Sequence, residues 1–74
     1  MKIYYIGGEV IFIDHLEMVR LDKMACVIQM TSGNNRAYFF ENPADAVNMR
    51  NEIYKLALSP EPHEILESNL RPQP

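Results

Sequence analysis

Asp14, His15 and Glu17 stand within four consecutive positions. Two carboxylates beside an imidazole are the groups that general acid–base catalysis or a divalent-cation site would use. Their spacing argues against either use. On an extended chain successive side chains point to opposite faces, so His15 and Glu17 share one face and Asp14 takes the other. The only other histidine, His63, follows Pro62 far along the chain, and no second cluster completes a site. The reading is a solvated strand edge at 14–17 and an exposed or capping role for His63. Cys26, the sole cysteine, alternates with Ile28 and Met30 and has no adjacent histidine or lysine to lower its pKa, so it reads as a small buried apolar residue. One thiol rules out an internal disulfide and every multi-cysteine zinc arrangement. Gly7-Gly8 lacks the further glycine and the following helix of a dinucleotide loop, which leaves it as a turn. No residue is assigned a catalytic, cofactor-binding or metal-binding role, no cofactor is expected, and the chain reads as a non-enzyme.

Tyr4, Tyr5, Tyr38, Phe39 and Phe40 are the remaining chemical resource. On an open sheet such aromatics stack nucleic-acid bases, but that use calls for basic residues interleaved with them. Seven lysines and arginines against ten acids give a net charge of −3, and the basic residues are scattered singly. A core or protein-interface role fits the aromatics better. A nucleic-acid-associated regulator using the aromatic face is the alternative function.

The elements that must position these side chains are legible in the punctuation. Ile3–Ile6 is a short apolar run stopped by Gly7-Gly8, and Val10–Ile13 is an unbroken apolar run that suggests a strand covered on both faces or continuing under something else. In the next segment Leu16, Met18 and Arg20 alternate with Glu17, Val19 and Leu21. The period-two pattern of Ala25–Thr31 marks a half-buried strand, which Ser32–Asn35 connects to a returning strand at Arg36–Glu41. Asn42 as cap, Pro43 at the first position and Asp45 in the first turn begin a helix that should run to Leu58, where Ser59-Pro60-Glu61-Pro62 ends it. Ile65, Leu66 and Leu70 would line one side of a short helix, and Arg71–Pro74 is expected to be disordered. The fold class is α+β: one domain at 1–58, an antiparallel meander of four or five strands closed by an amphipathic helix, with a proline-containing tail at 59–74.

With 74 residues, 47% of them hydrophobic, the chain holds one small domain with a thin stability margin that a partner chain would widen. The N-terminal stretch is cut by glycines and Glu9 before a signal-peptide core develops, and no run approaches the ~20 apolar residues of a membrane span. A lone thiol with no export signal points to the cytoplasm. On the helix, Ala46, Val47, Met49, Ile53, Tyr54, Leu56, Ala57 and Leu58 cover roughly 200°, more than one small sheet conceals. Arg50 falls within this arc, where it either snorkels to water or meets a carboxylate such as Glu41 or Glu9. The expected partners are a second copy, as a two-fold dimer, and an unidentified protein; nucleic acid and membrane are not expected. The interface candidates are Arg50, Tyr54, Leu58, Ile65, Leu66 and Leu70. Cys26, Ile28, Met30, Val47 and Ile53 are expected in one core.

The runs at Gly7–Val19 and Cys26–Asn35, the aromatic Tyr38-Phe39-Phe40 and the Asn42–Ala46 cap together resemble small bacterial and prophage-encoded proteins of uncharacterised role. In these a meander ends in strand, short acidic cap and helix, as at the end of pleckstrin-homology-like domains. The resemblance covers about residues 7 to 58 and implies the strand-to-helix ending. The basic loops with which some pleckstrin-homology-like members grip phosphoinositides are absent here, so lipid binding is not implied.

Overall fold

In the computed structural model, which describes residues 1–74, the chain forms two three-stranded sheets and one α-helix, an α+β fold. Gly7 and Gly8 both take positive φ (55° and 80°), the conformation that a two-residue turn between twisted strands requires. They join β1 (Lys2–Ile6) to β2 (Glu9–Phe12) as an antiparallel hairpin, with Tyr4 opposite Ile11 and Tyr5 opposite Val10. The expected single meander stops there. Ile13–His15 tighten into a 3₁₀ turn that directs the chain out of this sheet, and a second antiparallel sheet follows, built from β3 (Leu16–Asp22), β4 (Ala25–Met30) and β5 (Asn35–Phe39).

A bulge between Leu16 and Met18 corrects the expected facing of β3. One extra residue reverses the alternation, so Leu16 turns inward together with Val19 and Leu21 instead of outward with Met18 and Arg20. On β4 the alternation holds: Cys26 and Ile28 are fully buried and Met30 packs beside them.

The helix α1 (Pro43–Leu58) begins and ends where expected. The Asn42 side chain accepts a hydrogen bond from the Ala44 N–H at 2.9 Å, and Pro43 occupies the first turn, where no amide partner is lost. Its buried stripe is narrower than the apolar arc: Ala46, Met49, Ile53 and Leu56 point inward, whereas Tyr54 and Leu58 are each 65% exposed. Val47, expected in the core, lies half-buried at its margin.

The tail departs furthest from expectation. Glu64–Glu67 form a strand, β6, not a helix, and it pairs parallel to β1 with Ile3 opposite Ile65 and Tyr4 opposite Leu66. An isolated helix this short cannot offset its nucleation cost. Pairing instead satisfies the open side of β1: the Ser68 N–H donates to the Tyr5 carbonyl at 2.8 Å. The last residues are likewise docked, since the Gln73 N–H donates to the Phe39 carbonyl at 2.7 Å and a Cβ on Gly7 would stand 3.1 Å from the Pro72 ring.

One core of 12 residues joins both sheets and the helix, with Tyr4, Ile6 and Ile11 from the first sheet, Cys26, Ile28 and Tyr38 from the second, and the helix stripe between them. Only 13 of 74 residues are buried, so each carries a large share of the stability. Ile53→Ala should therefore cost about 2–5 kcal/mol in a urea titration. Asn42→Ala should cost about 1 kcal/mol and Asn42→Asp only a few tenths, because the carboxylate also accepts from the first-turn amides.

Candidate interaction surface

The first sheet is ordered β2-β1-β6, and its register determines what faces outward. Tyr4, Ile6, Ile11 and Leu66 turn to the core, so Ile3, Tyr5, Val10, Phe12, Ile65 and Glu67 turn away from it. Phe12, Ile3 and Ile65 stand in one cross-strand row; Val10, Tyr5 and Glu67 form the next. Five of these six outward side chains are apolar. Val10 and Phe12 are 41% exposed and Ile65 is 61% exposed, because α1 packs on the opposite side of the sheet. The apolar run Val10–Ile13 is thus covered on one face only, which corrects the first of its two expected forms, a strand enclosed on both faces; Ile11 and Ile13 are buried, and Ile13 belongs to the 3₁₀ turn.

Polar contacts hold this sheet rigid from within. Glu52 on α1 accepts hydrogen bonds on one carboxylate oxygen from both the Tyr4 hydroxyl (2.6 Å) and the Ser68 hydroxyl (2.7 Å). Lys2 on β1 donates its ammonium to the carbonyls of Ala57 (3.0 Å) and Ser59 (2.7 Å), the unpaired acceptors at the helix C-terminus. Ser59 in turn donates its hydroxyl to Glu64 on β6. These bonds clamp the helix to β1 and β6.

The residues singled out from the sequence are dispersed by the fold. Leu66 and Leu70 pack against the chain's own core, Ile65 joins the outer face, and Tyr54 and Leu58 stay exposed on the helix. Arg50 meets neither Glu41 nor Glu9: it donates to the Asn51 side chain at 3.3–3.4 Å and lines a cleft of about 320 Å³ between β3 and α1 together with Tyr54. Glu9 is paired with Arg36, the only ion pair in the chain. Tyr4, Tyr38 and Phe40 are buried, so the five aromatics do not form a stacking platform. Asp14, His15 and Glu17 are exposed, and no three His, Cys, Asp or Glu side chains converge as a metal set would. No helix is long and apolar enough to cross a membrane. Ile3, Val10 and Phe12 escaped the sequence reading as surface residues. Their signal was apolar character on both alternating faces of the Gly7-Gly8 hairpin, which is more than one core can absorb.

A second cleft, of about 370 Å³, separates β2 from the second sheet, whose Ile28, Met30, Thr31, Ser32 and Asn34 line its far wall together with His15 and Arg36. Val10, Ile11 and Phe12, three consecutive residues, all line it. Alternate residues would line a strand's face, so consecutive ones mean that this wall is the strand's edge.

Burial governs the titratable groups of the interior. Desolvation, eased slightly by Arg50, pushes the Cys26 thiol from its ordinary 9.0 up to about 11, which makes it inert at neutral pH. Desolvation also raises the phenol of Tyr4, reinforced by its bond to Glu52, and that of Tyr38, whose buried hydroxyl makes no hydrogen bond. All three shifts are upward, so the native state favours the protonated forms. Their contribution to stability is complete below the unfolded-state values and is lost as pH rises through the folded ones. Thermal melts should therefore show a midpoint that is level from pH 7 to about 8.5 and falls progressively above pH 9, and native Cys26 should resist iodoacetamide at pH 8 yet react fully in guanidinium.

Comparison with family models, with curated proteins and with solved structures returns no match.

Proposed function

We propose that the protein is a non-enzymatic protein–protein interaction module that works as a homodimer in the cytoplasm. The observation that carries this reading is the outer face of the β2-β1-β6 sheet, where Ile3, Tyr5, Val10, Phe12 and Ile65 stand in register, Ile3 half-buried and the other four exposed. Contiguous apolar side chains left in water mark contact sites. Associating copies would gain on the order of 25 cal/mol for each Å² of apolar surface they bury. A domain with so few buried residues gains more from that than a large one would.

Light scattering tests the reading. At ~100 μM, where even a micromolar interface is mostly formed, the chain should have twice its 8.6 kDa mass. Phe12→Lys should weaken the dimer about tenfold or more while changing monomer stability by less than about 1 kcal/mol, because that side chain already lies partly in water. A monomer at this concentration overturns the reading. Salt-sensitive micromolar binding to mixed-sequence DNA or RNA in a fluorescence-anisotropy titration would replace it with a nucleic-acid function.

A further inference from the structure

The two sheets end in four unpaired edges: β2 and β6 in the first, β3 and β5 in the second. A bare edge is a template for another strand, and soluble proteins blunt it with charge, proline, a bulge or a covering segment. Three of the four edges are blunted. β3 carries Glu17, Arg20 and Asp22 together with its bulge. β5 carries Arg36 and has the Phe39 carbonyl already bonded to Gln73. β6 is bounded by Glu64 and Glu67. Along Val10-Ile11-Phe12, β2 carries no charge, proline or bulge, and the chain's own second sheet faces it only across the 370 Å³ cleft without pairing to it; its one charged residue, Glu9, is ion-paired with Arg36.

The backbone groups on that edge follow from the hydrogen-bond pattern. The Tyr5 carbonyl accepts from Ser68 on β6, so Tyr5 directs its polar groups to β6 and Val10 opposite it directs its own away from β1. Phe12, two residues on, points the same way. The Val10 N–H, the Val10 carbonyl and the Phe12 N–H therefore face the β2 cleft without a strand partner. The Phe12 carbonyl starts the 3₁₀ turn and keeps one free lone pair.

We propose that two copies of this chain pair β2 against β2 in antiparallel register, joining their first sheets into one continuous six-stranded sheet. This rests on the self-association proposed above and assigns the contact to the β2 edge, at the margin of the outer face, where Val10 and Phe12 belong to both. A two-fold axis normal to the sheet must pair residues on the same face. With the axis at Ile11, Val10 of each copy stands opposite Phe12 of the other, and Ile11 opposite Ile11. Two aromatic-to-β-branched pairs result, a favoured cross-strand combination, and the three free backbone groups on each side find partners. Centring on Val10 instead would set Glu9 against Ile11. The charge balance agrees: each copy carries −3, yet the paired edges are uncharged, so the copies meet where repulsion is least. Of the outer face, the edge pair draws Val10 and Phe12 into the contact and leaves Ile3, Tyr5 and Ile65 outside it.

Disulfide trapping tests the register. In this arrangement residues 10 and 12 of different copies have Cα atoms about 5.5 Å apart, within disulfide range, whereas two copies of residue 10 do not. A mixture of Val10→Cys and Phe12→Cys chains, oxidised at ~100 μM, should form a covalent dimer severalfold faster than either variant alone, with the wild type and its buried Cys26 as the uncrosslinked control. Val10→Pro, which removes the edge-facing N–H, should raise the dimer Kd about tenfold or more with the β1–β2 hairpin intact, and by more than Val10→Ala, which trims the same side chain but keeps that N–H. A light-scattering dimer that Val10→Pro leaves unchanged and that the mixture does not trap overturns edge pairing while self-association stands. Faster trapping of Val10→Cys alone also overturns the register. A monomer at ~100 μM overturns both proposals.

Discussion

The pairing of β1 with β6 is the constraint on which the rest of the molecule depends. β1 is the central strand of its sheet, and it obtains its second neighbour from a segment more than fifty residues further along the chain. That closure brings Glu64 to Ser59, Ser68 to Glu52 and Pro72 to Gly7, so the helix is clamped from both sides and the chain end is led across to β5. Contacts so distant in sequence are entropically costly to form and are recovered only once the whole sheet assembles. Without β6, Leu66 and Leu70 would leave the core and Tyr4 would lose half of the cluster that orders its hydroxyl.

The same pairing decides which surfaces remain available. By occupying one side of β1 and completing a three-stranded sheet, β6 presents Ile65 beside Ile3 and Phe12 and so extends the apolar outer face by one strand. The helix is committed to the inner side, where Ala46, Met49, Ile53 and Leu56 fill the space between the sheets. The outer face keeps Tyr5, Val10, Phe12 and Ile65 exposed. The uncovered face and the unblunted β2 edge are therefore consequences of one topology, and they adjoin at Val10 and Phe12.

How much of this was legible in the sequence differed by element, for physical reasons. The helix was readable to the residue because its signals are local: a side-chain cap at Asn42, proline at Pro43 and the Ser59-Pro60 stop. The β4–β5 pair was readable from alternation and a polar turn. What was not local was not readable. The tail reads as an amphipathic helix because Ile65, Leu66 and Leu70 suit that spacing, and only the open edge of β1, sixty residues away, makes a strand the better answer. The β3 bulge, invisible in composition, turned Leu16 inward. Of the candidate surface, Ile65 groups by spacing with Leu66 and Leu70, which face the core, and nothing in the apolar runs Ile3–Ile6 and Val10–Ile13 distinguishes the outward Ile3, Val10 and Phe12 from their inward neighbours.

Whether a second copy closes the β2 edge can be read bond by bond from amide hydrogen exchange followed by NMR at increasing protein concentration. In the monomer the Val10 and Phe12 amides face the open β2 cleft without a backbone partner, while those of Glu9 and Ile11 are directed at β1. The account predicts that protection of Val10 and Phe12 rises about tenfold or more between ~5 and ~500 μM, with amides of the second sheet gaining no comparable protection. Exchange of Val10 and Phe12 at the rate of an unstructured peptide at every concentration would contradict it.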